Sequence, residues 1–169
     1  MHGLFPRLWR AHAVCPVTAV QNRYSMMARQ YEPLFPVLEE LGVGLVAFSP
    51  MANGFLTGSY GKDSRFDPKT DYRAGMPQFA PGAIDQNRPL LDLLRRMARE
   101  KQATPAQISL AWMLCKKPWI VPIPGTRKEE RMAENAGAAG IALTAGEVEA
   151  LDKALDTVGM SAVYGVKQN

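Results

Sequence analysis

The residues best suited to chemistry follow a short apolar segment late in the chain. Ile120–Ile123 is followed by a Pro-Gly pair and then by Thr126-Arg-Lys-Glu-Glu-Arg131. Gly125 lets the backbone approach a ligand closely, and free N–H groups at a predicted helix start favour an anion. Cations in a first helical turn oppose the helix dipole. Arg127 and Lys128 therefore indicate a bound phosphate that they neutralise.

A solvated, charged helix is the alternative interpretation of the same residues. Glu129 and Glu130 balance the bases, and Arg131 follows one turn later on about the face of Arg127 and Lys128. The residues alone do not decide between a phosphate site and a solvated helix.

Two other apolar segments are followed by residues of comparable chemistry. Gln21-Asn-Arg-Tyr-Ser25 comes after Ala13–Val20, and Ser49-Pro-Met-Ala-Asn-Gly-Phe-Leu-Thr-Gly58 comes after Val43–Phe48. Ligands of parallel α/β folds bind at the carboxyl ends of the strands. We therefore expect one edge of the sheet to carry four features: an amide side chain, an aromatic residue at a strand end, a Gly-containing loop and a basic helix start.

The elements that must position these residues alternate between strand and helix. The three apolar segments predict strands, because they are short and almost continuously apolar. Helical spacing predicts one helix over residues 34–41, ended by Gly42, and another over Leu90–Ala98. The last predicted helix carries an apolar stripe of Val148, Leu151 and Leu155. Three capping boxes mark further helix starts at Thr104, Thr126 and Thr144, the second opening a helix to about Ala136.

Alternating strands and helices predict an α/β fold with a parallel sheet. Three strands are few for this class and would leave an apolar sheet face and two unpaired edges. The segment Ser49–Ala83 is rich in Gly and Pro, and loops of that length are usually functional. The 169 residues fall short of the roughly 250 of a complete (β/α)8 barrel.

Composition and charge exclude several classes of function. The chain has 20 Lys and Arg against 16 Asp and Glu, a net charge of +4, and no recognisable basic nucleic-acid-binding module. The excess of positive charge is therefore better explained by a local anion site.

Cys15 and Cys115 lie far apart without a CxxC motif, so neither a disulfide framework nor a metal site is expected. No apolar run approaches 18 residues and no signal peptide is recognisable, which predicts no membrane partner and a cytoplasmic location.

Six segments in register carry a family resemblance from about Arg10 to Thr157. They are Gln21–Ser25, Leu38–Gly44, Phe48–Gly58, Asp71–Phe79, Thr104–Trp112 and Ile123–Ala138. Together they resemble the C-terminal part of the aldo-keto reductases. Residues 1–9 do not match, so the chain is expected to consist of an unmatched leader followed by the C-terminal barrel portion over residues 10–169.

The resemblance implies a partial (β/α)8 TIM barrel whose three strands are the sixth to eighth. It also implies a cofactor, NADPH or NADP+, used by the family to reduce aldehydes and ketones. Gln21 is assigned to the nicotinamide carboxamide and Phe48 to stacking on its ring. Pyrophosphate neighbours are Ser49, Pro50, Met51, Asn53 and Gly54, with Arg73 as a weaker candidate for closing over them. Gly125, Thr126, Arg127 and Arg131 are assigned to the adenosine 2′-phosphate, and Glu134 and Asn135 to the adenine.

Some positions depart from the family pattern. Met51 and Ala52 stand where Leu-Gly is more common, and Ser59 stands where a Lys is common before a Tyr. Lys62 lies close to the latter position. The tail from Val163 onward does not match the usual ending.

The family's chemistry needs an Asp, a Tyr, a Lys and a His from the first half of the barrel, and those motifs do not occur in this sequence. No catalytic residue is therefore assigned. Tyr24 lies on the correct rim and is expected to line the pocket wall. His12 is expected to be structural or exposed, Cys15 to lie in the core, and Ser25–Ala28 to serve packing.

The resemblance thus implies the NADPH-binding C-terminal portion of an aldo-keto reductase, inactive by itself. A sequence truncated upstream would account for the leader. The alternative is a non-catalytic module that binds NADP(H) or a partner protein, including a second copy through exposed sheet edges. The carbonyl substrate is not indicated, because the loops that shape the family's pocket come largely from the other half of the barrel.

Overall fold

The computed structural model describes residues 4–163, in which three strands pack against helices. The first three residues and the tail after Val163 lie outside the described part of the chain. The strands are β1 (Ala19–Arg23), β2 (Gly44–Phe48) and β3 (Ile120–Pro122). The helices are α1 (Leu4–Val14), α2 (Phe35–Leu41), α3 (Ala83–Gln86), α4 (Arg88–Glu100), α5 (Pro105–Lys116), α6 (Glu129–Gly137) and α7 (Ala145–Thr157).

The sheet is parallel and follows the order of the chain. β1 pairs with β2, with Arg23 opposite Phe48, and β2 pairs with β3, with Val46 opposite Val121. Helices connect the strands, as parallel pairing requires. The α/β class and the parallel sheet predicted from the sequence are confirmed.

The two faces of the sheet differ in their cover. Leu45, Ala47 and Ile120 are almost completely buried against the helices. On the opposite face, Gln21 is exposed and Val121 remains 54% exposed. Side chains alternate between the faces of a strand, so an apolar sheet face is left open within residues 4–163.

The core is built around α5, which is buried on most of its surface. Ile108, Trp112 and Met113 are fully buried, and the helix packs against β3, α4 and α7. The Trp112 ring stacks on Tyr24 with centroids 5.5 Å apart. Burial of each such side chain contributes about 1.5–3 kcal/mol, so α5 supplies much of the apolar stabilisation.

The predicted first strand, Ala13–Val20, is wrong in its bounds. The chain is helical through Val14, and β1 runs over Ala19–Arg23. The backbone N–H of Val17 donates to Nδ1 of His12 at 3.2 Å, which closes the connector after the helix. Apolar residues at a helix end resemble a buried strand in sequence, and an edge strand with one open face tolerates polar residues. The expectation that His12 is structural is confirmed.

The predicted helix start at Thr126 is also wrong. α6 begins at Glu129 with Lys128 as its N-cap, and Thr126 Oγ1 accepts a bond from the Lys128 N–H at 3.1 Å. Arg127 and Lys128 therefore precede the helix, and its first turn carries Glu129 and Glu130, which suit the helix dipole.

The other predicted elements agree with the structure. Gly42 ends α2 in the left-handed conformation at φ 64°, which favours glycine. Both hydrogen bonds of the capping box are present at Thr104 before α5 and at Thr144 before α7. The apolar stripe of α7 is buried, and so are Met26 and Met27. Cys15, predicted to lie in the core, is exposed, because it follows the end of α1.

Two further features of the described residues bear on function. No helix within residues 4–163 is long and apolar enough to cross a membrane. The same part of the chain has no group of three or more His, Cys, Asp or Glu side chains that could hold a metal ion.

Candidate functional site

A cavity of about 770 Å³ lies at the carboxyl ends of β2 and β3. Its wall comes from the loop after β2, from Tyr72 and Arg73, and from the segment joining β3 to α6. This volume falls within the range of small-molecule sites, about 300–1,000 Å³. Eleven of the thirteen predicted cofactor-binding residues line it: Ser49, Pro50, Met51, Asn53, Gly54, Gly125, Thr126, Arg127, Arg131, Glu134 and Asn135.

Gln21 and Phe48 do not line this cavity. Gln21 lies within β1 rather than after it, and Phe48 is the last residue of β2. The register places both side chains on the open face of the sheet, where the Arg23 guanidinium lies 4.9 Å from the centre of the Phe48 ring. Their assigned contact with a nicotinamide stays a prediction.

The loop after β2 has an unusual backbone where it meets the cavity. Ser49, Ala52 and Asn53 have φ of 52°, 49° and 61°, and Gly54 follows at 92°. Residues other than glycine rarely adopt this left-handed region, and each costs on the order of 1–3 kcal/mol unless its surroundings hold it. Such strain clusters at binding sites, which makes this loop a candidate for ligand contact.

Two side chains hold the loop in that conformation. Gln78 is completely buried and donates from Nε2 to the Ala52 carbonyl at 3.2 Å and to Asn53 Oδ1 at 3.4 Å. Thr57 Oγ1 donates to the Gly54 carbonyl at 2.7 Å. The long segment after the loop therefore has a positioning role that the sequence pattern did not reveal.

Arg73 is fixed in the cavity wall by an acid and two aromatic rings. Its Nε donates to Asp71 Oδ1 at 2.9 Å, and its Nη1 donates to the Tyr60 hydroxyl. The guanidinium lies 5.1 Å from the Tyr60 ring centre and 4.6 Å from that of Phe66. Hydrogen bonds to Asp71 raise the pKa of Arg73 above its ordinary value, so the cation is permanent.

The charge of the cavity wall is strongly biased toward cations. Among the described lining residues, Arg73, Arg127, Lys128 and Arg131 face one acid, Glu134. Within residues 4–163, neither Arg127 nor Arg131 forms an ion pair, and Lys128 lies 3.9 Å from Glu130. Arg127, Lys128 and Arg131 are exposed to solvent and grouped at the wall of one cavity, an arrangement that attracts a multiply charged anion such as a phosphate. The site therefore meets the donor requirement of a phosphorylated cofactor.

Several lining residues were not assigned from the sequence. Tyr72 lies in the irregular segment and is 71% exposed, so no pattern marked it. Ser59 and Tyr60 line the cavity, whereas Lys62 instead pairs with Asp85 at 2.9 Å. A polar or aromatic residue in an aperiodic loop gives no spacing signal, and only the resemblance drew attention to these positions.

Tyr24 does not line the pocket wall, and that prediction is wrong. Its side chain is fully buried between Phe35 and Trp112, and its hydroxyl donates to Glu32 Oε1 at 2.7 Å. Lys116 Nζ lies 2.6 Å from the same carboxylate oxygen.

This cluster holds a tyrosine, a lysine and a carboxylate, yet it is unsuited to proton transfer. Burial, reinforced by the charge of Glu32, raises the pKa of Tyr24 above its ordinary value of 10.0. A tyrosine that acts as a general acid near neutral pH needs a lowered pKa and contact with a substrate. Tyr24 therefore has a structural role in the core.

Parallel strands joined by helices, with a cationic cavity at their carboxyl ends, define an α/β protein with an anion-attracting site. The sequence profile of the Aldo/keto reductase family matches residues 6–156. The aldo-keto reductase str7 of Strobilurus tenacellus is 41% identical over 150 aligned positions, and the match covers 86% of this chain and 44% of that protein. The chain belongs to the aldo/keto reductase family, and it spans less than half the length of this relative.

Solved structures show the same fold. The glycerol dehydrogenase AKR11B4 of Gluconobacter oxydans matches 97% of this chain with 50% of its own, at a TM-score of 0.82 and 21% identity. The thermostable aldo-keto reductase Tm1743, solved with the inhibitor epalrestat, matches 87% of this chain with 44% of its own, at a TM-score of 0.61 and 27% identity. An aldo-keto reductase of Klebsiella pneumoniae, solved with NADPH, covers 88% of this chain with 43% of its own, at a TM-score of 0.60 and 23% identity.

Proposed function

We propose that this chain is the C-terminal, NADPH-binding portion of an aldo-keto reductase, holding the sixth to eighth strands of the barrel. The observation that carries the proposal is the charge of the cavity, where four cations and one carboxylate line a space of about 770 Å³. Membership of a family of nicotinamide-dependent reductases supports the choice of ligand. The partial coverage of the relatives supports the assignment to a portion of the barrel.

The residues around the cavity divide into three groups along the proposed cofactor. Thr126, Arg127 and Arg131 would hold the 2′-phosphate, and Glu134 and Asn135 would contact the adenine. The left-handed loop around Asn53 and Gly54 would lie along the pyrophosphate. Gln21 and Phe48 would contact the nicotinamide on the open face of the sheet. When bound, the cofactor supplies the hydride for reduction of an aldehyde or ketone.

We propose further that the chain does not reduce carbonyl compounds by itself. A proton donor must reach the substrate oxygen, and within residues 4–163 no tyrosine, lysine, aspartate and histidine come together at the cavity. Tyr24 and Lys116 meet in the buried core instead. The family's proton-transfer residues would come from the half of the barrel that the relatives have in addition.

One pair of measurements tests both proposals. NADPH is titrated with the protein while its fluorescence is followed, and NADPH oxidation is then recorded with an aromatic aldehyde. We expect saturable binding without turnover. Absence of binding would contradict the cofactor proposal, whereas turnover by this chain alone would contradict the proposal of inactivity.

The open sheet favours a second candidate function, a non-catalytic module that binds NADP(H) or a partner protein. Val121 and Ile123 remain 54% and 45% exposed at the edge formed by β3. Exposed edges pair readily with other strands, so association with a second copy is expected under this interpretation. A monomer at all concentrations, measured by light scattering, would contradict association with a second copy.

A further inference from the structure

Gln107 connects two helices that meet at the cavity. Its side-chain Oε1 accepts a bond from the Thr104 backbone N–H at 3.1 Å, which completes the capping box of α5. Its Nε2 donates to the backbone carbonyl of Glu134 in α6 at 2.9 Å. One carboxamide thus holds the start of α5 and the end of α6 at the same time.

The acceptor in α6 belongs to the last turn of that helix. The last four carbonyl groups of a helix lack partners within it. Glu134 is the fourth residue counted back from the end of α6, and the next backbone N–H beyond the helix, that of Ala138, bonds to the carbonyls of Asn135 and Ala136 instead. Gln107 therefore supplies a donor for a carbonyl that the helix leaves free.

Packing contributes little to the position of α6. None of its residues, all within the described part of the chain, is buried, although Glu134 and Asn135 are half-buried against the cavity. A helix held by few apolar contacts depends more on each hydrogen bond to a neighbour. The hydrogen bond from Gln107 is one of these, and its acceptor is the backbone carbonyl of Glu134, which lines the cavity.

Gly137 gives the Gln107 amide the room it needs. A Cβ built at Gly137 would lie 2.9 Å from Gln107 Nε2, closer than such atoms approach. The φ of Gly137 is −59°, an ordinary helical value, so the backbone conformation does not demand glycine. An alanine at this position would therefore require the end of the Gln107 side chain to move away from its place in the structure.

We infer that Gln107 is a positioning residue for the adenosine end of the cofactor, acting through the Glu134 backbone on the helix that carries Arg131, Glu134 and Asn135. This inference rests on the proposed NADPH site. The cation that α6 presents to the 2′-phosphate moves with the helix, so loss of the hydrogen bond from Gln107 reduces the preference for NADPH over NADH.

The first test replaces the amide donor and keeps the helix cap. In Gln107→Glu a carboxylate oxygen still accepts from Thr104, but no N–H remains for the Glu134 carbonyl. We expect the dissociation constant for NADPH, followed by fluorescence, to rise about five- to tenfold. The constant for NADH is expected to change less, so the ratio of the NADH constant to the NADPH constant falls. A general loss of stability would not change that ratio, and an unchanged ratio would overturn the inference.

The second test uses two glycines at helical positions. Gly137→Ala is expected to displace Nε2 of Gln107 and lower the NADPH preference, whereas Gly146→Ala in α7 meets no atom within 4 Å and should leave it unchanged. On helix propensity alone, both substitutions would raise Tm. A Gly137→Ala protein with raised Tm and wild-type nucleotide preference contradicts the inference.

Hydrogen exchange separates the inference from the cofactor proposal. Without nucleotide, the amides of α6 are expected to exchange faster in Gln107→Glu than in the wild type, and those of α7 at the same rate. If the wild type binds neither nucleotide, the cofactor proposal fails even when α6 exchange responds as expected. If the wild type binds NADPH and the exchange of the α6 amides is the same in Gln107→Glu as in the wild type, only the positioning role of Gln107 is contradicted.

Discussion

At the scale of single residues, the cavity is marked by the cations in its wall: among its described lining residues, four basic side chains stand against one acid. Most basic residues of the described chain lie beside an acid, as Lys117 does with Glu39 at 3.0 Å. Arg127 and Arg131 have no such partner within residues 4–163 and line the cavity. An exposed ion pair adds at most about 1 kcal/mol, so leaving these two arginines unpaired costs the folded state little and keeps both available for an anion. Under the proposed function, that anion is a phosphate of the cofactor.

We expect Arg131→Ala to weaken NADPH binding by about tenfold or more, because a charge-assisted contact to a phosphate contributes about 1.5–3 kcal/mol. NADH, which lacks that phosphate, should lose much less. Fluorescence titration with both nucleotides measures the difference. The control is Arg96→Ala, which removes an exposed arginine from α4, outside the cavity. Equal losses for the two nucleotides would argue against a 2′-phosphate at Arg131.

Tyr24 gives a prediction of the opposite kind. Tyr24→Phe removes the donor to Glu32 and keeps the buried ring, so the free energy of unfolding should fall by about 1 kcal/mol. NADPH affinity should stay at its wild-type value, because the side chain does not reach the cavity. Urea unfolding and nucleotide titration of the same samples measure both quantities. If a fully folded variant bound NADPH more weakly, Tyr24 would contribute to the cofactor site after all.

At the scale of helices and strands, the caps explain which boundaries the sequence predicts. Thr104 and Thr144 each make both bonds of the capping box, and α5 and α7 begin where the pattern places them. Thr126 has the same pattern but bonds to the N–H two residues later, which leaves the chain in a turn. A Thr with an acid three residues on is compatible with either arrangement, and only the surrounding chain decides.

The α7 cap predicts a pH dependence. Hydrogen bonds from Lys101, then from the Thr144 backbone, lower the pKa of Glu147 below its ordinary value of 4.5. A carboxylate with a lowered pKa stabilises the folded state above the unfolded pKa, and this contribution is lost as the pH falls through the folded pKa. Glu147→Gln should therefore be less stable than the wild type at pH 7 and equally stable near pH 2.

The midpoint of urea unfolding at the two pH values measures this effect. Glu100→Gln is the matched control, since Glu100 is exposed on α4 and forms no ion pair within the described residues. A stability difference between Glu147→Gln and the wild type that persisted at low pH would show that the charge of Glu147 is not its cause.

The sequence predicted the cavity better than it predicted the strand beside it. Lining residues such as Asn53 and Arg131 follow strands, and strand ends in a parallel sheet converge on one rim regardless of the strands' length. The predicted start of β1 is wrong because an apolar stretch from Ala13 is compatible with a helix end as well as with a strand. The predicted position of Tyr24 in the pocket wall is wrong for another reason. The side chain packs against Trp112, 88 residues away in the chain, and local spacing does not encode such a contact.

At the scale of the whole molecule, the sheet has more surface than the helices cover. Beside β3, a hollow of about 320 Å³ is lined by apolar side chains that include Leu110, Val121 and Met132. Val121 and Met132 remain 54% and 61% exposed. Apolar surface of this kind, next to an unpaired strand edge, usually contacts another chain.

We expect the protein to self-associate as its concentration rises, and Val121→Lys to shift it toward the monomer by placing a charge on the open face. Light scattering over a concentration series measures the average mass. Val14→Lys is the control, because Val14 is 88% exposed at the end of α1, away from β3. Equal association of the two variants would place the contact elsewhere on the molecule.

The order of pairing in the sheet bears on how the chain acquires its structure during synthesis. β1 meets β2, and β2 meets β3, so each new strand adds to one that has already left the ribosome. Pairing between successive elements keeps the loops that must close short and favours early, stepwise folding. Within residues 4–163, the strand completed last has an unpaired outer edge, at which a further strand could pair. A protein built in this way can be lengthened or divided between its β-α units with little disturbance to the units already formed.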